Sequence, residues 1–251
     1  MPGLLHARAV TVRRGRRTVL RDVSFALAGG RAVHLAGANG SGKTSLLRVL
    51  AGLAVPRAGA VERSGTCAFV PERVALAPAL RCGEWLRAMR ALRGLAPADW
   101  SAAAAASGLD PAVLRRAGGT LSKGMLQRIA LLEALQADCP LLLLDEPFAG
   151  LDADGRDWLA AELAGRMAAG AAVLLTDHSD ASRGRIALAG ALRLDAGTCR
   201  SGDGAPAERE LLVRAGHPDG RTLARAVRED AVDALLRELL DEGWHVEEVR
   251  R

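Results

Sequence analysis

Tyrosine is absent from this 251-residue chain, and aromatic residues make up only 3% of it. Proteins that grip single-stranded nucleic acid stack bases on aromatic rings set among basic residues, so this composition speaks against nucleic acid as a specific partner. Lysine is nearly missing too: of 34 basic residues, only Lys43 and Lys123 are lysines. Arginine is the surface cation everywhere else, so a lysine marks a place where a compact ammonium is needed. The four cysteines, Cys67, Cys82, Cys139 and Cys199, have neither zinc-ligand spacing nor the density of a disulfide framework, and read as reduced packing residues. No apolar run approaches the roughly 20 residues that cross a bilayer. The first nine residues lack the basic, apolar and small-residue order of a secretory signal. The chain is therefore expected neither to span a membrane nor to leave the cytosol.

The rest is soluble and globular in character: 49% of residues are hydrophobic, 25% are charged and the net charge is +5, which excludes disordered and fibrous classes. The basic excess is modest. Its one dense cluster, Arg13, Arg14, Arg16 and Arg17 around Gly15, reads as a solvated turn between two strands.

Residues 7–12 and 19–26 are partly alternating and β-branched, which predicts the strands flanking that turn. Residues 32–36 form a buried strand leading into a glycine-rich loop, and residues 45–53 continue with apolar positions at helical spacing. Short strand-like pieces occupy 58–71. From 84 to 92 the residues Trp85, Leu86, Met89 and Leu92 recur at helical spacing, residues 97–106 form an alanine-rich helix, and Asp110-Pro111 opens a third. Apolar strands at 141–144 and 171–175 flank a helix at 156–167. Strands alternating with helices predict an α/β core with a mixed, largely parallel sheet. Residues 198–207, rich in glycine and small polar side chains, read as a linker. Strands at 211–214, 223–227 and 244–249, with a helix carrying Val232, Leu235, Leu236, Leu239 and Leu240 on one stripe, predict a small β-β-α-β unit over 208–251.

The chemistry concentrates at Gly37-Ala38-Asn39-Gly40-Ser41-Gly42-Lys43-Thr44, which matches the phosphate-loop pattern G-x-x-x-x-G-K-[ST] at every fixed position, with Ser45 continuing into the helix. Glycines let successive backbone N–H groups converge on phosphate oxygens, and the helix start adds partial positive charge. In such a loop Lys43 reaches the β- and γ-phosphates of ATP and the Thr44 hydroxyl binds Mg²⁺. The strand at 141–144 ends in Asp145 and Glu146. Beside a phosphate loop, the first acid is suited to hold the metal and the second to deprotonate the attacking water. These residues predict an ATPase. Guanine-specific proteins commonly use an N-K-x-D element, which neither lysine here allows.

Between these motifs lies Leu121-Ser122-Lys123-Gly124-Met125, with Ser122 a good helix cap. After them come Ala149-Gly150-Leu151-Asp152 and His178. The five ordered motifs together resemble the nucleotide-binding subunit of ATP-binding cassette (ABC) transporters over residues 1–200. The resemblance implies a P-loop NTPase core with an N-terminal antiparallel β subdomain and an inserted helical subdomain at 73–120. It makes residues 121–125 the signature that reaches the ATP of a partner protomer, Asp152 the D-loop acid and His178 the switch histidine. It also implies a head-to-tail pair of such subunits, a homodimer in the simplest case, closing on ATP.

Three positions depart from the family pattern. Glu72, in Phe69-Val70-Pro71-Glu72, stands where the family usually has glutamine; a carboxylate can still ligate Mg²⁺ but adds negative charge beside the phosphates. Arg14 stands near the place of the missing adenine-stacking aromatic, and its guanidinium plane is the adenine-contact candidate. Lys123 and Met125 replace signature glycine and glutamine, and with Val-Pro-Glu they resemble the ATPases of ABC-2-type exporters. The expected protein is thus a peripheral ATPase on the cytoplasmic face of the membrane, driving a separate transmembrane permease, with Trp85 near the docking groove unless it simply packs in a core. The alternative is a soluble ATPase of the same fold that remodels a protein assembly without transport.

Overall fold

The computed structural model describes residues 3–177, 182, 184–201, 210–228 and 232–250. They divide into two compact units, residues 1–205 and 206–251.

In the first unit, a six-stranded sheet has the order β5-β6-β7-β3-β8-β9, formed by β3 (Ala32–Gly37), β5 (Cys67–Val70), β6 (Leu141–Leu144), β7 (Ala172–Leu175), β8 (Leu188–Asp195) and β9 (Thr198–Ser201). Its first five strands are parallel and β9 runs antiparallel to β8. A continuous apolar run is what a strand covered on both faces requires, and all four leucines of β6 and all of β7 are buried. A second sheet, order β2-β1-β4, is antiparallel: β1 (Gly3–Arg14), β2 (Arg17–Ala28) and β4 (Ala58–Arg63). It shares one core with the helix α1 (Lys43–Leu50) and the main sheet, through Leu20, Val23, Leu46, Leu50 and Leu143.

The opposite face of the main sheet is covered by α4 (Lys123–Gln136) and α5 (Ala153–Ala168), through Leu131, Leu135, Leu159 and Leu163 against Leu142 and Leu175. Residues 127–135 of α4 are all buried, so this helix is a core element rather than an amphipathic surface one. A third cluster lies in the helical insert, where α2 (Cys82–Leu92) and α3 (Trp100–Ala106) bring Leu86, Trp100 and Ala104 against Ile129 and Leu132 of α4. Trp85 packs half-buried on this cluster.

Three local expectations are corrected. The alanine-rich helix starts at Trp100 rather than at 97, because the Asp99 carboxylate caps it by accepting from the Ser101 and Ala102 N–H groups at 3.0 and 3.1 Å. The element opened by Asp110-Pro111 is a five-residue 3-10 turn, Pro111–Arg115, followed by Gly118 and Gly119. Thr198–Ser201 is a strand, not linker: a tight turn at Ala196 and Gly197, both with positive φ, folds it back onto β8.

The second unit is an antiparallel sheet, order β11-β10-β12, with β10 (Glu210–Gly216), β11 (Thr222–Arg228), α6 (Val232–Asp241) and β12 (His245–Arg250) in chain order. Val213 and Ala215 of β10 bury against Leu235 and Leu239 of α6. The β10–β11 turn is pinned by Asp219, which accepts from the Arg221 guanidinium at 2.7 Å and sits 2.7 Å from the His217 ring, while Arg221 lies over the Trp244 ring.

Candidate nucleotide site

The phosphate loop runs from the end of β3 into α1, so its position is set by a central strand of the sheet. Gly42 occupies the N-cap position of α1 in a left-handed conformation (φ 108°). A Cβ there would lie 2.7 Å from Leu20 and 3.0 Å from Val19, so only glycine fits. No side chain caps α1 and no acid stands in its first turn, which leaves the positive helix end facing the loop. The Lys43 ammonium, largely buried, donates to the Gly37 and Ala38 carbonyls at 2.7 and 3.1 Å. Burial pulls it below the usual lysine range, against the opposing influence of Glu146, Asp145 and Glu72.

The acids enter from the end of β6. Asp145 N–H bonds the Val70 carbonyl of β5 at 2.8 Å, and the buried Asp145 carboxylate accepts two hydroxyls: Thr44 on one oxygen at 2.7 Å, Thr176 on the other at 2.8 Å. Glu146 follows with φ 52°, a left-handed backbone that costs a non-glycine residue roughly 1–3 kcal/mol. Its N–H donates to Thr176 Oγ1 at 2.8 Å, and its carbonyl accepts from Ala149 N–H at 3.0 Å.

A cleft of about 990 Å³ brings these parts together. Residues 38–45 line it with Glu72, Asp145 and Glu146, and Arg14, Arg17, Thr18 and Val19 of the β1–β2 hairpin line it from the antiparallel sheet. Glu72 and Arg14 are both exposed. The β8–β9 turn completes the wall, tied to β2 by a 2.7 Å bond from Arg21 N–H to the Gly197 carbonyl. Such a cleft can take the phosphates of a nucleotide at the helix start and its base toward the hairpin. Thr44 and Asp145 offer hard oxygen donors side by side, which suits Mg²⁺ bound with phosphate oxygens and water. Among the described residues no cluster of three His, Cys, Asp or Glu side chains forms a metal cage.

Residues 121–125 and Asp152 do not line this cleft. Ser122 caps α4, its Oγ accepting from Met125 N–H at 3.2 Å, and the Met125 sulfur accepts from Arg116 at 3.7 Å. Lys123 is exposed at the first position of α4. Gly124 faces the carbonyl of Gly150, which a Cβ would approach to 2.6 Å. Asp152 caps α5 by accepting from Gly155 N–H at 2.8 Å and pairs with the Arg128 guanidinium of α4. The Gly155 bond first, and Arg128 after it, hold its carboxyl below the ordinary range. His178 lies outside the described residues.

Two residues of this arrangement, Thr176 and Arg128, were not anticipated from sequence. Arg128 is buried and spans from Asp152 to the Ser107 carbonyl, at 2.9 Å from the latter. The signal available for Thr176 was a polar residue directly past an apolar strand. It becomes informative only once β6 and β7 are known to be neighbours in register, with Leu144 beside Leu175.

Fold and cleft together define a P-loop nucleotide-binding protein of the α/β class. The family model for ABC transporters matches residues 20–149. The cytochrome c biogenesis ATP-binding export protein CcmA of Hyphomonas neptunium is 37% identical over 187 residues, covering 71% of this chain and 91% of that protein. The zinc import ATP-binding protein ZnuC of Cereibacter sphaeroides is 39% identical over 70% of this chain and 72% of its own length. A solved structure described as the ATP-binding subunit of an ABC transporter superposes with a TM-score of 0.74 at 28% identity, covering 80% of this chain and 90% of the other. The chain belongs to the ABC transporter family, as an ATP-binding, ATP-hydrolysing subunit.

Proposed function

We propose that this chain powers export through a separate transmembrane permease, as a peripheral subunit on the cytoplasmic face of the membrane that works as a head-to-tail dimer, in the simplest case a homodimer. The observation that carries the reading is the meeting of Lys43 and Thr44 with Asp145, Thr44 Oγ1 lying 2.7 Å from the carboxylate, inside a cleft large enough for ATP. Among the described residues no helix is long and apolar enough to cross a membrane, and the cargo path is proposed to lie in the permease. The export direction is supported by the likeness to the CcmA protein, and the ZnuC likeness makes import the outcome to test against.

Lys43 and the α1 N-terminus bind the β- and γ-phosphates, and Thr44 with Asp145 would hold Mg²⁺, with Glu72 at the mouth of the cleft. When bound, that ion supplies charge neutralisation at the γ-phosphate. Glu146 accepts a proton from water as the water oxygen bonds to the γ-phosphorus, the bond to the β–γ bridging oxygen breaks, and ADP and phosphate result. Arg14 lies flat against the adenine. From the family resemblance alone His178 is assigned the γ-phosphate contact, and Ser122 to Met125 of a second protomer close over that phosphate, with Asp152 coupling the two sites.

Glu146→Gln is expected to slow ATP turnover by at least about 100-fold while ATP still drives dimer formation, read by an ATPase assay and by light scattering. Normal turnover would sink the assignment. Co-purification from detergent-solubilised membranes should bring down a transmembrane subunit. A complex of soluble subunits alone would favour the protein-remodelling alternative, and vesicles accumulating cargo in the opposite sense would reverse the direction.

A further inference from the structure

We infer that Thr176 is a positioning residue that sets both acids at once. The inference rests on the reading of Asp145 as the metal-side acid and Glu146 as the base. The hydroxyl of Thr176 has one proton, and it goes to Asp145 Oδ1 at 2.8 Å. Thr176 Oγ1 itself accepts the Glu146 N–H at 2.8 Å. On the other side of the carboxylate, Thr44 donates to Oδ2 at 2.7 Å.

The Asp145 carboxylate is therefore clamped between two hydroxyls, one from α1 and one from the end of β7. Its rotation is tied through a single oxygen to the backbone of Glu146. That backbone is in the left-handed region, where a glutamate stays only if its surroundings hold it, and its conformation decides where the carboxylate of the base points. Thr176 is itself anchored: it is fully buried, and its N–H bonds the Leu144 carbonyl of β6 at 3.0 Å. At such a position water does not replace a lost hydroxyl, so removing it leaves a carboxylate oxygen and an N–H each short of a partner. Thr176 thus orients two neighbouring acids that serve different steps, while lying buried behind the lining of the cleft.

The test compares Thr176→Val, which keeps the shape and removes the hydroxyl, with Thr176→Ser, which keeps the hydroxyl. In the full-length protein Thr176→Val is expected to lower turnover and Mg²⁺ affinity by about 10- to 100-fold, the range found when a partner of a metal ligand is removed. The Mg²⁺ effect is read by titrating ATP binding at increasing Mg²⁺ and in EDTA: the gain in ATP affinity on adding Mg²⁺ should shrink. Thr176→Ser should restore both. Wild-type turnover and Mg²⁺ dependence in Thr176→Val, alongside an inert Glu146→Gln, would overturn the inference alone. So would a serine variant as impaired as the valine one, since methyl packing would then be the cause. Normal turnover in both Asp145→Asn and Glu146→Gln would instead remove the reading beneath it. Should the valine chain not fold, Thr176→Ser against Thr176→Cys makes the same distinction through the weak hydrogen bonding of the thiol, and equal activities overturn the inference.

Discussion

Two helix starts in this protein carry glycine and a lysine, yet they are built in opposite ways. At α1 the N-cap is Gly42, no side chain satisfies the first turn, and the positive helix end opens into the cleft beside Lys43. At α4 the N-cap is Ser122, whose oxygen is occupied by Met125 N–H, and Lys123 projects from the first turn outside that cleft. An uncapped helix start surrounded by its own acids and lysine is a site complete for binding within one chain. A helix start that is already capped, yet offers a hydroxyl proton and a cation outward, is suited to reach a phosphate already held elsewhere. On the proposed head-to-tail dimer, this difference would let one chain bind ATP while a pair hydrolyses it.

The comparison breaks most sharply at Lys43. Lys43→Ala should weaken ATP binding at least about 100-fold, from the loss of charge-assisted hydrogen bonds worth roughly 1.5–3 kcal/mol each, measured by titration calorimetry. Unchanged affinity would mean that the α1 end is not the phosphate site. Gly124→Ala probes the packing behind the second helix start: its Cβ would press on the Gly150 carbonyl, and overpacking of this kind costs about 1–3 kcal/mol. A thermal scan should show a clear drop in Tm, and an unchanged Tm would show that α4 is not seated against that loop. Ser122→Ala removes a cap worth about 1 kcal/mol, a shift of roughly 2–4 °C, and should depress turnover more than nucleotide affinity. If turnover and affinity fall together, the two ends are not divided between binding and hydrolysis. The smallest effect is expected from Arg14→Ala, at about 0.5–1 kcal/mol or up to five-fold in ATP affinity, as for an exposed cation over a π-system. No change would remove Arg14 from the base contact.

The phosphate loop was legible in the sequence because everything it needs is contiguous: strand, glycines, lysine and helix follow one another from Ala32 to Leu50. Asp145 and Glu146 were legible for the same reason, at the end of four leucines. What was not legible depends on neighbours in space. Thr176 matters because β7 lies beside β6, and Arg128 because it pairs with Asp152 at the start of α5. β9 was missed because glycine and small polar residues look the same in a linker and in a short edge strand; its pairing with β8 comes from a turn that sequence pattern alone does not impose. The start at Trp100 was displaced from 97 by the Asp99 cap, which acts on single residues and escapes periodicity, whereas the element at Pro111 starts where its Asp110 cap places it but is only a short 3-10 turn.

The left-handed backbone at Glu146 has a consequence for which substitutions the chain accepts. Glycine adopts that conformation without strain, so Glu146→Gly should relieve the backbone even as it deletes the carboxylate. On stability alone that exchange would be favoured, and a glutamate held there marks a position where chemistry, and not folding, has chosen the residue.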